Sequence, residues 1–198
     1  MTSDDGRNYS KPMLSTGFAK KKTADELAVA DAGAMAEQLQ ASIRTFAKVT
    51  AIDPANHEIS MGDEKLRYSK LVIAWGAECI SAPLQGDGLD LVYSVNDLLD
   101  YATFQKAVAG KKKVLIIGAG LIGSEYANDL AMGGFEVEAV DPLSGPLGSL
   151  MPPKASAAVQ HALERECKVT YHFGTVVESI DKKGSGVIAT LADGSKVE

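Results

Sequence analysis

Apolar positions follow two periods along this chain. Residues 71–75 (LVIAW) and 114–117 (VLII) are apolar at consecutive positions, the pattern of strands covered on both faces. Residues 135–140 and 168–173 read as further strands. Met35, Leu39 and Ile43 recur every fourth residue and predict a helix over 34–43, with Ala36 and Ala41 adding propensity. Residues 46–52, 57–61 and 66–68 form short strand-like pieces. The turns Asp53-Pro54-Ala55-Asn56 and Gly62-Asp63 separate them, which predicts a small antiparallel meander. Ser94 to Asp97 resembles a capping box, with Ser94 as N-cap. The helix it opens carries Leu98, Tyr101 and Phe104 and stops at Gly110. Further helices are expected from 121 to about 132 and after Pro152, through Val159 and Leu163. Residues 175–180 and 187–191 are expected to be strands, divided by a turn at 181–184. The first 33 residues show little periodicity. Their Lys20-Lys21-Lys22 run reads as a solvated loop or as a face for an acidic partner.

The most informative segment is Gly118-Ala119-Gly120-Leu121-Ile122-Gly123. A GxGxxG match alone is weak. Here a buried-type strand precedes it, a helix follows, and a second strand ends in Asp141, 23 residues after Gly118. In that setting Gly118 allows the tight turn, Gly120 lets a diphosphate approach the backbone, and Gly123 lets helix and strand pack closely. The diphosphate would rest on free amides at the helix start, around Leu121 and Ile122. Asp141 can accept from both hydroxyls of an adenine ribose and would repel a 2'-phosphate, favouring NAD over NADP. The alternative is an ordinary acid at a strand end. Glu125 lies in the first turns of the same helix, where a carboxylate gains from the helix N-terminus. It also fits a plain surface glutamate. The order of elements predicts an α/β protein containing a three-layer Rossmann-like domain.

The chain has 198 residues, of which 45% are hydrophobic, and a formal net charge of -6. This suits one or two globular domains. It disfavours nucleic-acid binding, which draws most of its affinity from basic side chains. No apolar run approaches the roughly 20 residues of a membrane span. The opening residues lack the pattern of a signal peptide. The two cysteines, Cys79 and Cys167, are too far apart in sequence for a local redox pair or a metal knuckle. They read as small buried hydrophobes in a reducing, cytoplasmic compartment. His57, His161 and His172 are scattered, so no metal site is expected.

Several segments together resemble one family: Asp5-Gly6-Arg7-Asn8-Tyr9-Ser10-Lys11-Pro12-Met13-Leu14-Ser15, residues 71–77, Asn96-Asp97-Leu98, and residues 118–127. They are similar to the FAD-dependent pyridine-nucleotide oxidoreductases and, within these, to the bacterial rubredoxin–NAD reductases. The resemblance implies an FAD-binding domain interrupted by an NAD-binding domain. Residues 1–109 match part of the first, without its opening glycine-rich unit. Residues 110–198 match the second, without its final strand. Tyr9, Ser10, Lys11 and Pro12 match a segment beside the flavin ring, and Trp75 and Gly76 match one that passes close to the same cofactor. By its own context Trp75 is equally an ordinary aromatic.

The resemblance gives Lys11 a stabilising role near the reduced flavin. It places Glu125 at the nicotinamide–flavin junction, orienting the nicotinamide or pairing with Lys11. Relatives that reduce disulfides carry a cysteine pair in the region of residues 9–14, and none is present here. The implied activity is therefore hydride transfer from NADH to FAD, then single electrons to rubredoxin or a similar small iron protein. The chain is expected to be an internal fragment of such a reductase, colourless and inactive alone. The competing readings are an NAD-binding module and a structural fragment, with open sheet edges that could pair in a homo-oligomer.

Overall fold

The structure is a computed structural model and describes all 198 residues. The chain divides into two compact units. One comprises Met1–Ser10 and Ala28–Cys79, the other Lys11–Leu27 and Ile80–Glu198.

The first unit carries helix α3 (Ala32–Leu39), so labelled because two one-turn helices precede it in the chain, α1 (Thr16–Ala19) and α2 (Ala24–Leu27). Asp31 caps α3, its side chain accepting from the Ala34 N–H at 2.8 Å. The helix ends where Gln40 turns left-handed at φ 50°, short of the expected Ile43. The meander is present as β1 (Ala51–Asp53), β2 (Glu58–Met61) and β3 (Glu64–Arg67), antiparallel in that order, with Ile59 buried. Its first strand is shorter than the expected 46–52. Phe46 has φ 50°, which no strand residue adopts, and its N–H bonds to Asp4 O at 2.8 Å.

The expectation of a buried strand over 71–75 is not met. Residues 71–84 carry no regular structure, and Val72, Trp75 and Ile80 are 87%, 86% and 98% exposed. An apolar run becomes a strand only when neighbouring strands accept its backbone hydrogen bonds, and none of the nine strands pairs with it. Cys79, in the same stretch, is exposed rather than buried.

The second unit holds helix α4 (Leu98–Ala107), β4 (Lys113–Ile117), α5 (Leu121–Met132), β5 (Glu136–Asp141), α6 (Pro153–Cys167), β6 (Thr170–Phe173), β7 (Val177–Lys183), β8 (Gly186–Leu191) and β9 (Lys196–Val197). Asp97, not Ser94, caps α4. The Asp97 carboxylate accepts from the Asp100 N–H at 2.8 Å, and Asp100 in turn accepts from the Asn96 N–H at 2.9 Å. The motif spacing recurs three residues later than expected, where the helical backbone begins.

Strands β4, β5 and β6 form a parallel sheet in that order, with Val114 opposite Val137 and Ala139 opposite Tyr171. Ile116 turns toward α5, within 3.4 Å of where a Gly123 β-carbon would lie. Its neighbour Leu115 turns the other way. With Val140 it packs on Val177, Ile180, Ala189, Leu191 and Val197 of the antiparallel sheet β7–β9. Helices, parallel sheet and antiparallel sheet are thus three layers, as the α/β pattern implies.

Residues 11–27, which lacked periodicity, fold around one ring. Phe18 lies edge-on to Tyr101 and Phe104, with centroids 5.1 and 5.4 Å away, and within 6.3 Å of Tyr126 and Phe135. A one-turn helix has no repeat to display, so tertiary packing is what fixes α1.

Candidate dinucleotide-binding site

The turn between β4 and α5 has the geometry its glycines call for. Gly118 has φ +100°, a region closed to most side chains, and its N–H bonds to Val140 O at 2.8 Å. Gly120 is the N-cap of α5, and a β-carbon placed on it would meet no atom within 4 Å. A β-carbon on Gly123 would stand 1.9 Å from Gly118 O. The first bond back from the helix runs from the Ser124 N–H to Gly120 O at 2.9 Å. The amides of Leu121, Ile122 and Gly123 therefore have no intrahelical acceptor, and the side chains of Leu121 and Ile122 lie 58% and 65% exposed. This is an open cradle of backbone donors at a helix N-terminus.

Asp141 ends β5 beside this cradle and is buried, at 8% exposure. Its Oδ2 accepts from the Ala119 N–H at 2.7 Å and its Oδ1 from the Leu143 N–H at 2.8 Å. Each oxygen keeps a further lone pair for a ribose hydroxyl. Ser124 and Leu147 were not singled out in the sequence. The Ser124 hydroxyl donates to Ala119 O at 3.1 Å, and the Leu147 N–H donates to the same oxygen at 2.8 Å. Ser124 occupies a variable position of the motif, and Leu147 acts through its backbone, so neither carries a compositional signal.

Glu125 is exposed on α5 and forms no ion pair. Lys11 instead donates to Asn96 Oδ1 at 2.6 Å, so the pair between Lys11 and Glu125 is not formed. Asn96 is thus a neighbour of Lys11, and it belongs to the Asn96-Asp97-Leu98 segment that resembles the family. Pro12 and Glu125 both line a cavity of about 400 Å³. Its walls are one face of α5, with Leu121, Ser124 and Asn128, and the facing Leu163 of α6. On the same helix burial pushes the Tyr126 phenol well above its ordinary range, and its hydroxyl has no partner.

The second unit therefore gathers Lys11, Pro12, Gly118, Gly120, Leu121, Ile122, Gly123, Glu125 and Asp141. Tyr9, Ser10, Trp75 and Gly76 belong to the first unit, where Trp75 is exposed and Gly76 has φ +75°. The Cys167 thiol donates to Asn128 Oδ1 at 3.4 Å, and burial raises its pKa. No group of three or more His, Cys, Asp or Glu side chains could hold a metal ion. No helix is long and apolar enough to cross a membrane.

Comparison with known proteins adds a family. The chain is 49% identical to a rubredoxin–NAD(+) reductase of Alcanivorax borkumensis, over all of this chain and 52% of that protein. It is 36% identical to a nitric oxide reductase FlRd–NAD(+) reductase of Pectobacterium atrosepticum, over all of this chain and 52% of that protein. The chain thus spans about half the length of the curated relatives it matches. Among solved structures it superposes on an NAD-dependent persulfide reductase from A. fulgidus. The TM-score is 0.86 at 22% identity, covering 98% of this chain and 38% of that one, a likeness of fold. The family model of the pyridine nucleotide-disulphide oxidoreductases matches residues 2–198, and the chain belongs to that family.

Proposed function

We propose that this chain is the NADH-binding part, and a portion of the FAD-binding part, of a flavin-dependent reductase that passes electrons to rubredoxin or a similar small iron protein. In this reading residues 1–109 derive from the FAD-binding domain and residues 110–198 from the NAD-binding domain. The observation that carries it is the cradle at 118–123 beside the buried Asp141. The open space over Gly120 is what a dinucleotide diphosphate requires, so the residues fit that group.

The chain's own residues then act as follows. The amides at the start of α5 hold the diphosphate. Asp141 accepts from the adenine ribose and repels a 2'-phosphate, selecting NADH over NADPH. Glu125 orients the nicotinamide. Lys11, held by Asn96, supplies positive charge on the flavin side. A bound flavin would supply the conversion of a two-electron hydride donor into one-electron steps. The names of the curated relatives support the choice of a rubredoxin-type acceptor.

A second reading is a dinucleotide-binding module without redox chemistry. It is favoured by the 86% exposure of Trp75 in the flavin-side segment. One experiment separates the two. The full-length reductase of which this chain is proposed to be part is mixed with FAD and rubredoxin under anaerobic conditions and titrated with NADH. The reductase reading expects bleaching of the flavin and then of the rubredoxin. NADH binding without bleaching supports the module, and absence of NADH binding overturns both.

A further inference from the structure

We infer that Ser124 is a positioning residue for the dinucleotide: it clamps the Ala119 peptide so that the Gly120 N–H is turned out toward the diphosphate. The inference rests on the dinucleotide reading of the turn.

Ala119 is the residue between the two glycines, and it is 1% exposed. Both of its backbone polar groups point inward. Its N–H goes to Asp141 Oδ2 at 2.7 Å. Its carbonyl receives two donors, the Leu147 N–H at 2.8 Å and the Ser124 hydroxyl at 3.1 Å. A trans peptide is planar, with C=O and the following N–H pointing in opposite directions. An inward Ala119 carbonyl therefore forces the Gly120 N–H outward. Gly120 itself leaves room for a ligand, since a β-carbon on it would meet nothing within 4 Å. The same rule applies one peptide earlier. The inward Ala119 N–H sends the Gly118 carbonyl the opposite way, and that oxygen lies over Gly123, 1.9 Å from a hypothetical β-carbon. The two observations agree on how the turn is oriented.

The hydroxyl of Ser124 is placed unusually for this task. A serine inside a helix commonly bonds the carbonyl four residues back, within its own helix. Ser124 reaches five back, past the N-cap Gly120, and ties the helix to the loop before it. Ser124 is itself 8% exposed. The other donor, Leu147, is held at φ 56° on a loop that the buried Ser156 fastens, its Oγ donating to Pro146 O at 2.6 Å. Both donors to Ala119 are thus fixed before any ligand arrives. Without them nothing holds the Ala119 carbonyl, and the peptide that joins it to Gly120 can rotate more freely. Preset donors spare the ligand that ordering cost.

The test uses the 15N-labelled chain, with ADP-ribose and NADH as probes. In the unsubstituted chain ADP-ribose should shift the Gly120 amide resonance downfield. Ser124→Ala should weaken ADP-ribose and NADH about five- to tenfold and shrink that shift. Ser124→Cys fills the site with a slightly larger group that donates weakly, so it should weaken binding in the same direction, and it stands in if the alanine variant does not fold. Folded variants that bind ADP-ribose as tightly as the parent, with the same Gly120 shift, overturn the inference and leave the dinucleotide reading intact. Failure of the unsubstituted chain to bind either probe overturns both.

Discussion

Gly123 stands so close to Gly118 that a β-carbon on it would lie 1.9 Å from the Gly118 carbonyl oxygen, whereas Gly120 has open space beyond it. The two positions therefore separate stability from binding. Gly123→Ala must push backbone against backbone at the β4–α5 junction. It should cost about 3 kcal/mol and lower the melting temperature by about 6–12 °C. Gly120→Ala should fold and melt nearly as the parent does, since its φ of -71° suits alanine. It should nonetheless weaken NADH at least about tenfold by filling the space the diphosphate needs. Calorimetric melting and NADH titration of the pair would check this. Equal melting temperatures for the two variants would contradict the packing argument.

Glu138 gives the chain a defined acid sensitivity. Burial on β5 works to raise its carboxyl. Hydrogen bonds from His172 at 2.7 Å and Lys113 at 3.0 Å, with the Lys113 charge, outweigh burial and hold it below the ordinary carboxylate value. A depressed native pKa adds stability that is complete above the unfolded carboxylate value of about 4.3 and is lost as pH falls through the native one. Glu138→Gln should lower the melting temperature at neutral pH. It should also flatten the further drop between about pH 5 and pH 2. A parallel drop in both proteins would sink the assignment.

Tyr101 acts at the opposite end of the scale. Its side chain is fully buried, and its hydroxyl donates to Lys22 O at 2.7 Å. Burial, aided by the Glu26 charge, pushes the phenol up to about 12. A raised native pKa adds stability that is complete below the unfolded tyrosine value of about 10 and disappears as pH rises through the native one. Tyr101→Phe should cost about 1 kcal/mol at neutral pH, because Gln105 Nε2 still donates to Lys22 O at 2.8 Å. The variant should also lose stability less steeply above about pH 10, as urea melts across that range would reveal.

Trp75 is the only tryptophan, so the intrinsic tryptophan emission has a single source. At 86% exposure it should emit at the water-like red end and be quenched readily by acrylamide. Trp75→Ala should leave the melting temperature unchanged, since an exposed side chain loses almost no buried area. A blue-shifted, protected emission would show that the segment packs.

The sequence displayed the nucleotide turn clearly because every part of it is local. A strand apolar at consecutive positions, three spaced glycines and a strand-ending acid all lie within 30 residues. The clamp on Ala119 was invisible, because one of its donors is a backbone amide whose residue type carries no message. Residues 71–75 misled for a different reason. Hydrophobicity reports a preference for burial, but strand formation depends on neighbours elsewhere in the chain. Ser94 misled because Asp97 and Asp100 repeat the same cap spacing one turn later. Phe46 broke a strand pattern through its backbone angle, which no hydropathy pattern encodes.

The ring cluster around Phe18 has a consequence for synthesis as well as for stability. Phe135, one of the ring neighbours of Phe18, is synthesised more than a hundred residues after it. At ordinary elongation rates that interval is about 6 to 23 seconds. Over that interval the cluster stays incomplete, with Tyr101, Phe104 and Tyr126 arriving first and Phe135 last, an opening for chaperones that bind nascent apolar segments. The larger part of the first unit, Ala28–Cys79, lies between the two parts of the second in chain order, so the first unit is synthesised in full before the ring partners of Phe18 emerge.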